Sequence, residues 1–169
     1  MTPDTATLVN ERWENYRNAN TDNPDARNNE LSRAHYLLCP KSGERILEIG
    51  TGNGLLTLSI AEDVKVSGEV ITTDVIAENL EKVSKANTRH LPITPLLLDT
   101  VSPFPLSEKY DGYFDAIITV ATLHHFDSRL EPGKNGRLQV IEACYRMLKP
   151  GGRLVAVDPL SGTKTAAYF

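Results

Sequence analysis

The sequence predicts an α/β domain in which a parallel sheet carries helices on both faces. Three observations lead there. From Arg45 onward, short apolar runs alternate with stretches of helical spacing. Those runs are near-continuous Val/Ile/Leu segments, as expected of strands buried on both faces. Glycines and other turn residues punctuate the joins. A chain of 169 residues, 40% of them hydrophobic, is enough for one such domain with a real core.

Residues 1–44 are polar and helically spaced. Leu8, Trp13 and Tyr16, then Leu31, Ala34, His35 and Leu38, predict two helices broken around Asp22-Asn23-Pro24 and closed by Pro40 and Gly43. Arg12, Arg17, Arg27 and Arg33 are interleaved with acids and amides, and read as a solvated helical surface rather than a phosphate-binding patch. Arg45–Gly50 is the first strand and Leu55–Asp63 a helix. Glu69–Asp74 is a β-branched second strand, followed by a helix over Ala77–Asn87 with Asn79 and Lys82 outward. Ile93–Asp99 is a third strand, although Pro95 within it is a residue that strands disfavour. Phe114–Val120 is the fourth strand. Gly136–Leu148 is an amphipathic helix whose core stripe is expected at Leu138, Ile141, Cys144, Tyr145 and Leu148. Pro150-Gly151-Gly152 ends it, and Arg153–Asp158 is the fifth strand. Residues 100–113 and 127–136 read as loops after the third and fourth strands, on the rim where open α/β sheets bind ligands.

The bulk properties narrow the function. A net charge of −4, from 18 Lys+Arg against 22 Asp+Glu, argues against a nucleic-acid substrate. Cys39 and Cys144 have no CxxC partner and read as reduced packing residues. No apolar run approaches membrane-spanning length and the polar N-terminus does not resemble a signal peptide, so the expected location is the cytoplasm, without membrane association.

The most informative stretch is Glu48-Ile49-Gly50-Thr51-Gly52-Asn53-Gly54. Alternate glycines after a strand let the backbone turn sharply and let a ligand approach the main chain, and the helix that follows starts with free N–H groups. A dinucleotide fingerprint needs a small residue where this chain has Leu55, and an acid two places before the first glycine suits a cationic ligand better than a diphosphate. The dinucleotide reading loses.

The motifs also follow a known order. ExGxGxG comes first, then acids ending the second and third strands (Asp74 and Asp99). FDAIITVATLHHF (114–126) and MLKPGGRLVAVDP (147–159) come next. Residues 45–159 thereby resemble the class I S-adenosylmethionine-dependent methyltransferases, in particular their small-molecule and ubiquinone-type (type 11) branch. The resemblance implies a Rossmann-like sheet of strand order 3-2-1-4-5 that binds S-adenosyl-L-methionine. Residues 1–44 would be a helical cover over the cofactor and 45–169 the core. Gly50 and Gly52, with Thr51 and Gly54 in the same turn, would bring the main chain to the methionine portion. Glu48 would face its cationic end, directly or through water; alternatively it only shapes the turn. Asp74, 26 positions beyond Glu48, would hold the ribose hydroxyls, with an N-cap of the next helix as the other reading. Val75 and Ile76 would wall the adenine. Asp99 would accept from the adenine amino group, or simply end a strand, with Thr100 beside the ring edge. Thr119, Val120 and Ala121 would lie below the methionine arm. His124 and His125 follow, as a general base or as pocket-shaping residues. Metal binding is not expected, because adjacent histidines point apart and no acid/His spacing completes a set. Tyr16 is either packing or part of the cover.

The expected activity is methyl transfer to an unidentified, small-molecule acceptor. The rival is a cofactor-binding module without turnover, as in a pseudoenzyme or a subunit of a larger methyltransferase. The family core continues past the fifth strand with a helix and an antiparallel strand pair, whereas Pro159–Phe169 is too short for them. The expectation is a C-terminally truncated chain, or else a partner or homodimer that covers the fifth-strand edge.

Overall fold

A computed structural model describes residues 24–98, 104–126 and 136–158. Helix α1 spans Pro24–Leu38. Then come β1 (Arg45–Ile49), α2 (Leu55–Val64), β2 (Glu69–Asp74), α3 (Ala77–Ala86), β3 (Ile93–Leu97), α4 (Phe104–Lys109) and β4 (Phe114–Val120). A 3₁₀ turn at Leu123–His125, α5 (Gly136–Met147) and β5 (Leu148–Val157) complete the described elements.

The five strands form one sheet in the order β3-β2-β1-β4-β5, which is the order the resemblance implies. Every pairing is parallel. The central strand β1 shows why its sequence is almost wholly apolar. Ile46 enters the layer formed with α1 and α2, through Leu31, Leu38, Leu56 and Ile60. Leu47 and Ile49 enter the opposite layer, with Phe114, Ile117, Val140 and Met147. Period-2 alternation places both sets in core, so no polar face remains. Pro95 lies in β3, at the sheet edge, where a missing N–H is tolerated.

Three elements differ from the sequence expectation. The expected loop 100–113 contains α4, whose Leu106 is buried in the second layer. Pro150-Gly151-Gly152 does not separate helix from strand: β5 begins directly after α5, and the irregularity falls inside it. The register passes from Phe114↔Leu148 to Ala116↔Arg153, with Gly151 at φ +81°. Glycine supplies the left-handed residue that such a bulge needs.

The third difference is the buried stripe of α5. Val140, Ala143, Cys144 and Met147 are buried, whereas Leu138 (51% exposed), Ile141 and Tyr145 (80%) face outward. Both stripes have helical spacing. Ala143 and Cys144 are small, so the helix settles close to the sheet on that side, and the bulkier stripe is left outside. Cys144 is buried deeply enough that desolvation pushes its thiol pKa up to about 12, consistent with a packing role.

Candidate functional site

A cleft opens at the carboxyl ends of β1, β2 and β4. In this strand order the connections diverge between β1 and β4, the place where open α/β sheets leave a crevice. The turn after β1 supplies Gly50 and Gly52, the end of β2 supplies Asp74, Val75 and Ile76, and the turn after β4 supplies Thr122 and His125.

The glycine turn is shaped by its neighbours. Gly50 has φ +85° and Gly54 φ +78°, which L side chains rarely adopt. A Cβ at Gly50 would also collide with the Thr122 side chain, and one at Gly54 would lie 2.6 Å from Val83 Cγ2 on α3. The turn is pinned to β2 by the N–H groups of Gly50 and Thr51, which donate to the Thr73 carbonyl at 3.0 and 2.9 Å.

Asp74 is the acid nearest that turn. Its Oδ2 accepts from the Gly52 N–H at 3.0 Å and from Asn79 Nδ2 at 3.2 Å, and its Oδ1 accepts from the Ile76 N–H at 2.9 Å. A carboxylate offers about four lone-pair positions, so it can accept from a ligand as well. Burial raises the Asp74 pKa, and the bonds from Ile76, Gly52 and Asn79 oppose that rise. Asn79 corrects the sequence reading. Expected outward on α3, it is 7% exposed and lines the cleft, because α3 starts so close to β2 that its first turn faces inward. An amide at that position was the available signal.

Glu48 does not line the cleft. It lies beneath the turn at the end of β1, 2% exposed. Its Oε2 accepts from Thr72 Oγ1 at 2.7 Å and from Thr57 Oγ1, and Thr57 Oγ1 in turn bonds Thr51 Oγ1 at 2.6 Å. Burial pushes the Glu48 pKa up to about 7 although both threonines favour the charged form. Thr51, Gly54 and Thr119 are also buried just behind the cleft lining. Thr119 Oγ1 has no hydrogen-bond partner among the described residues.

The end of β4 is held from β5. Ala121 has φ +50°, a conformation an L-residue adopts only when its surroundings impose it. Its N–H donates to the Val157 carbonyl at 2.7 Å. The residue directly after β5, Asp158, accepts from the N–H groups of Thr122, Leu123 and His124 at 3.3, 2.8 and 3.3 Å. His124 Nδ1 lies 2.5 Å from Asp158 Oδ1. Burial works to raise the Asp158 pKa, but the His124 imidazole and these N–H groups outweigh it and hold the carboxyl below its ordinary value. His124 is thus held by Asp158, while His125 is buried against the cleft, its ring 4.0 Å from that of His124. Asp158 had been placed at the end of the fifth strand without a role. Its partners are distant in sequence, so only the sheet order reveals them.

Arg27 also departs from expectation. Read as solvated, its side chain is 17% exposed and lines the cleft from α1. Tyr16, Asp99 and Thr100 lie outside the described residues. Among the described residues no cluster of His, Cys, Asp and Glu could hold a metal ion, and no helix is long and apolar enough to cross a membrane.

A crevice of this kind, with a glycine turn on one side and a strand-end carboxylate beside apolar walls, is the usual ligand site of an open α/β sheet. Residues 47–156 match the methyltransferase domain family. The 27-O-demethylrifamycin SV methyltransferase of Amycolatopsis mediterranei is 28% identical over 161 residues, 90% of this chain and 54% of that protein. The mitochondrial ubiquinone biosynthesis O-methyltransferase of Mus musculus is 33% identical over 138 residues, 78% of this chain and 33% of that protein. A SAM dependent methyltransferase from Aquifex aeolicus shares the fold, with a TM-score of 0.60 at 22% identity over 83% of this chain and 71% of that one. The chain belongs to the class I S-adenosylmethionine-dependent methyltransferases, in the type 11 branch. S-adenosylmethionine is the cofactor of that family. The chain spans 54% and 33% of the lengths of the two curated relatives.

Proposed function

We propose that this chain binds S-adenosylmethionine in the cleft and transfers its methyl group to a small-molecule acceptor. The observation that carries the reading is the Asp74 carboxylate, tied to the Gly52 N–H and facing a cleft with Val75 and Ile76 beside it. Asp74 fits ribose hydroxyls, which need an acceptor. Val75, Ile76 and Leu98 fit the flat faces of a purine. Gly50 and Gly52 line the cleft and carry no side chain, so an amino-acid chain can pass close to the backbone. Asp99 and Thr100 would complete the purine edge.

When bound, the cofactor supplies a methyl group already made electrophilic by its sulfonium. The chain's own residues then position and desolvate. Gly50 and Gly52 set the height of the ligand above β1, and the apolar walls exclude water. Alignment of this kind contributes on the order of 7–11 kcal/mol to such reactions. His125, facing the cleft beside Thr122, is placed to accept a proton from an acceptor, with His124 and Asp158 fixing the turn that carries it. Glu48 acts through Thr57 and Thr51 on the shape of the turn. Helix α1 closes one side of the cleft, which supports a cover role for residues 1–44.

The named relatives are a 27-O-demethylrifamycin SV methyltransferase and a ubiquinone biosynthesis O-methyltransferase, which supports hydroxylated small molecules as the first acceptors to test. The experiment is formation of S-adenosylhomocysteine from S-adenosylmethionine with a panel of phenolic and quinol acceptors. Acceptor-dependent product supports the reading. Cofactor binding without product from any acceptor would favour the module without turnover.

A further inference from the structure

Glu48 is a buried acid without a counter-ion. Its hydrogen-bond partners are the hydroxyls of Thr57 and Thr72, and no lysine, arginine or histidine pairs with it among the described residues. An ionised carboxylate kept from both water and cations is costly, so such a group tends to keep its proton. Burial accordingly pushes the Glu48 pKa up to about 7, although the two threonine bonds favour the charged form. The proton is wired to the glycine turn, because Thr57 Oγ1 also bonds Thr51 Oγ1 at 2.6 Å. A hydroxyl has one proton to give. With Glu48 ionised, Thr57 donates to it and Thr51 donates to Thr57. A protonated Glu48 can donate to Thr57 and free it to donate to Thr51.

The same acid feels charge in the cleft above it. Asp74, at the end of β2, raises its pKa, and Arg27, on α1, lowers it; both line the cleft. The other elements packed around Glu48 present uncharged side chains. These are Thr57 from α2, whose acids Glu62 and Asp63 are exposed at its far end, and Ile118, its partner on β4. His125 lines the cleft from the turn after β4 and can titrate as well. We infer that Glu48 tells the cofactor from its product by charge, holding a proton when the cleft is empty or contains S-adenosylhomocysteine and releasing it when the sulfonium of S-adenosylmethionine enters. The inference rests on the reading of the cleft as the adenosyl site. The two ligands differ by one methyl group and by the positive charge that goes with it. That charge acts on Glu48 with the same sign as Arg27. Below about pH 7 the empty protein carries the proton, so binding the cation there includes the cost of releasing it. The preference for S-adenosylmethionine over S-adenosylhomocysteine therefore rises with pH and levels off once Glu48 is ionised in the empty protein.

Titration calorimetry with the two ligands, at pH 5 and pH 8 and in buffers of different ionisation heat, gives the affinities and the protons exchanged. One pKa unit of coupling corresponds to a tenfold change, so the ratio of the two affinities is expected to move by about tenfold toward S-adenosylmethionine at the higher pH. Near pH 6.5, S-adenosylmethionine should release about half a proton more than S-adenosylhomocysteine does. Glu48→Gln has no proton to lose, and its carbonyl oxygen can accept from both threonines. It should bind S-adenosylhomocysteine within about threefold of wild type and show a ratio independent of pH. A variant that still releases the proton assigns it to another group, such as His125, and overturns the inference. Carboxyl-selective ¹³C NMR of glutamate-labelled wild type reads Glu48 directly, and decides the matter should the variant bind neither ligand. Its signal should move to the ionised position with S-adenosylmethionine alone. A Glu48 signal that responds alike to both ligands, or a flat wild-type ratio, overturns the inference and leaves the adenosyl site standing. Wild-type protein that binds neither ligand overturns the reading of the cleft and this inference with it.

Discussion

The Gly52 N–H donates to Asp74 Oδ2 at 3.0 Å, so the turn after β1 and the acid that ends β2 form one unit. Removing the acid therefore disturbs two things: the acceptor offered to a ligand and the anchor of the glycine turn. Asp74→Ala is expected to weaken S-adenosylhomocysteine binding more than about tenfold, since hydrogen bonds to a charged group contribute roughly 1.5–3 kcal/mol each. Calorimetry on the folded variant checks this, and unchanged affinity removes Asp74 from the site.

Gly54 tests the packing behind the turn. Its φ of +78° and the 2.6 Å approach of Val83 Cγ2 leave no room for a methyl group. Gly54→Ala is expected to destabilise the domain by about 1–3 kcal/mol in denaturant unfolding. Adding Val83→Ala relieves the clash but not the backbone strain. Relative to Val83→Ala alone, Gly54→Ala should then cost less than it does in the wild type. An unchanged increment would mean that the two sites are not in contact.

Glu48 predicts an unusual pH dependence. Its folded pKa, near 7, lies above the ordinary value of 4.5. Between those two values the unfolded chain has lost the proton and the folded one keeps it, so stability falls as pH rises through that window. The loss is roughly 3 kcal/mol by pH 8. Glu48→Gln cannot ionise, so it loses this part of the pH dependence, with its gain relative to wild type appearing at pH 8 rather than pH 5. Denaturant melts of ligand-free protein at the two pH values measure it; a wild type that gains stability over this range contradicts the buried, protonated acid.

Helix α5 buries a stripe other than the one the sequence predicts. Met147 is fully buried, and Met147→Ala is expected to destabilise by about 2–5 kcal/mol. Ile141→Ser, on the outward stripe, should stay within about 0.5 kcal/mol of wild type in the isolated chain. A large effect of Ile141→Ser in the unfolding assay would show that the outward stripe is covered in solution.

These positions also show what the sequence could reveal. The strands and their order were legible because each strand is a short run rich in apolar and β-branched residues and the motifs follow a familiar sequence. The glycine turn was legible because glycine adopts such positive φ values without strain. The face of α5 was not, because Leu138, Ile141 and Tyr145 have the same periodicity as Val140, Ala143 and Met147, and only docking against the sheet chooses between them. Asn79 and Arg27 were misread for a related reason. Polar residues near helix starts point to solvent by default, and only the closeness of α1 and α3 to the cleft turns them inward. Asp158 depends on β5 lying beside β4, a relationship between residues more than thirty positions apart.

The central claim is that the cleft above β1 and β2 receives the adenosyl ligand. Titrating ¹⁵N-labelled protein with S-adenosylhomocysteine tests it residue by residue. Saturable shifts of the Gly50, Gly52, Val75 and Asn79 amides, with α5 little changed, are the result expected. Spectra that stay unchanged at millimolar ligand, or that move only on the outward face of α5, would contradict it.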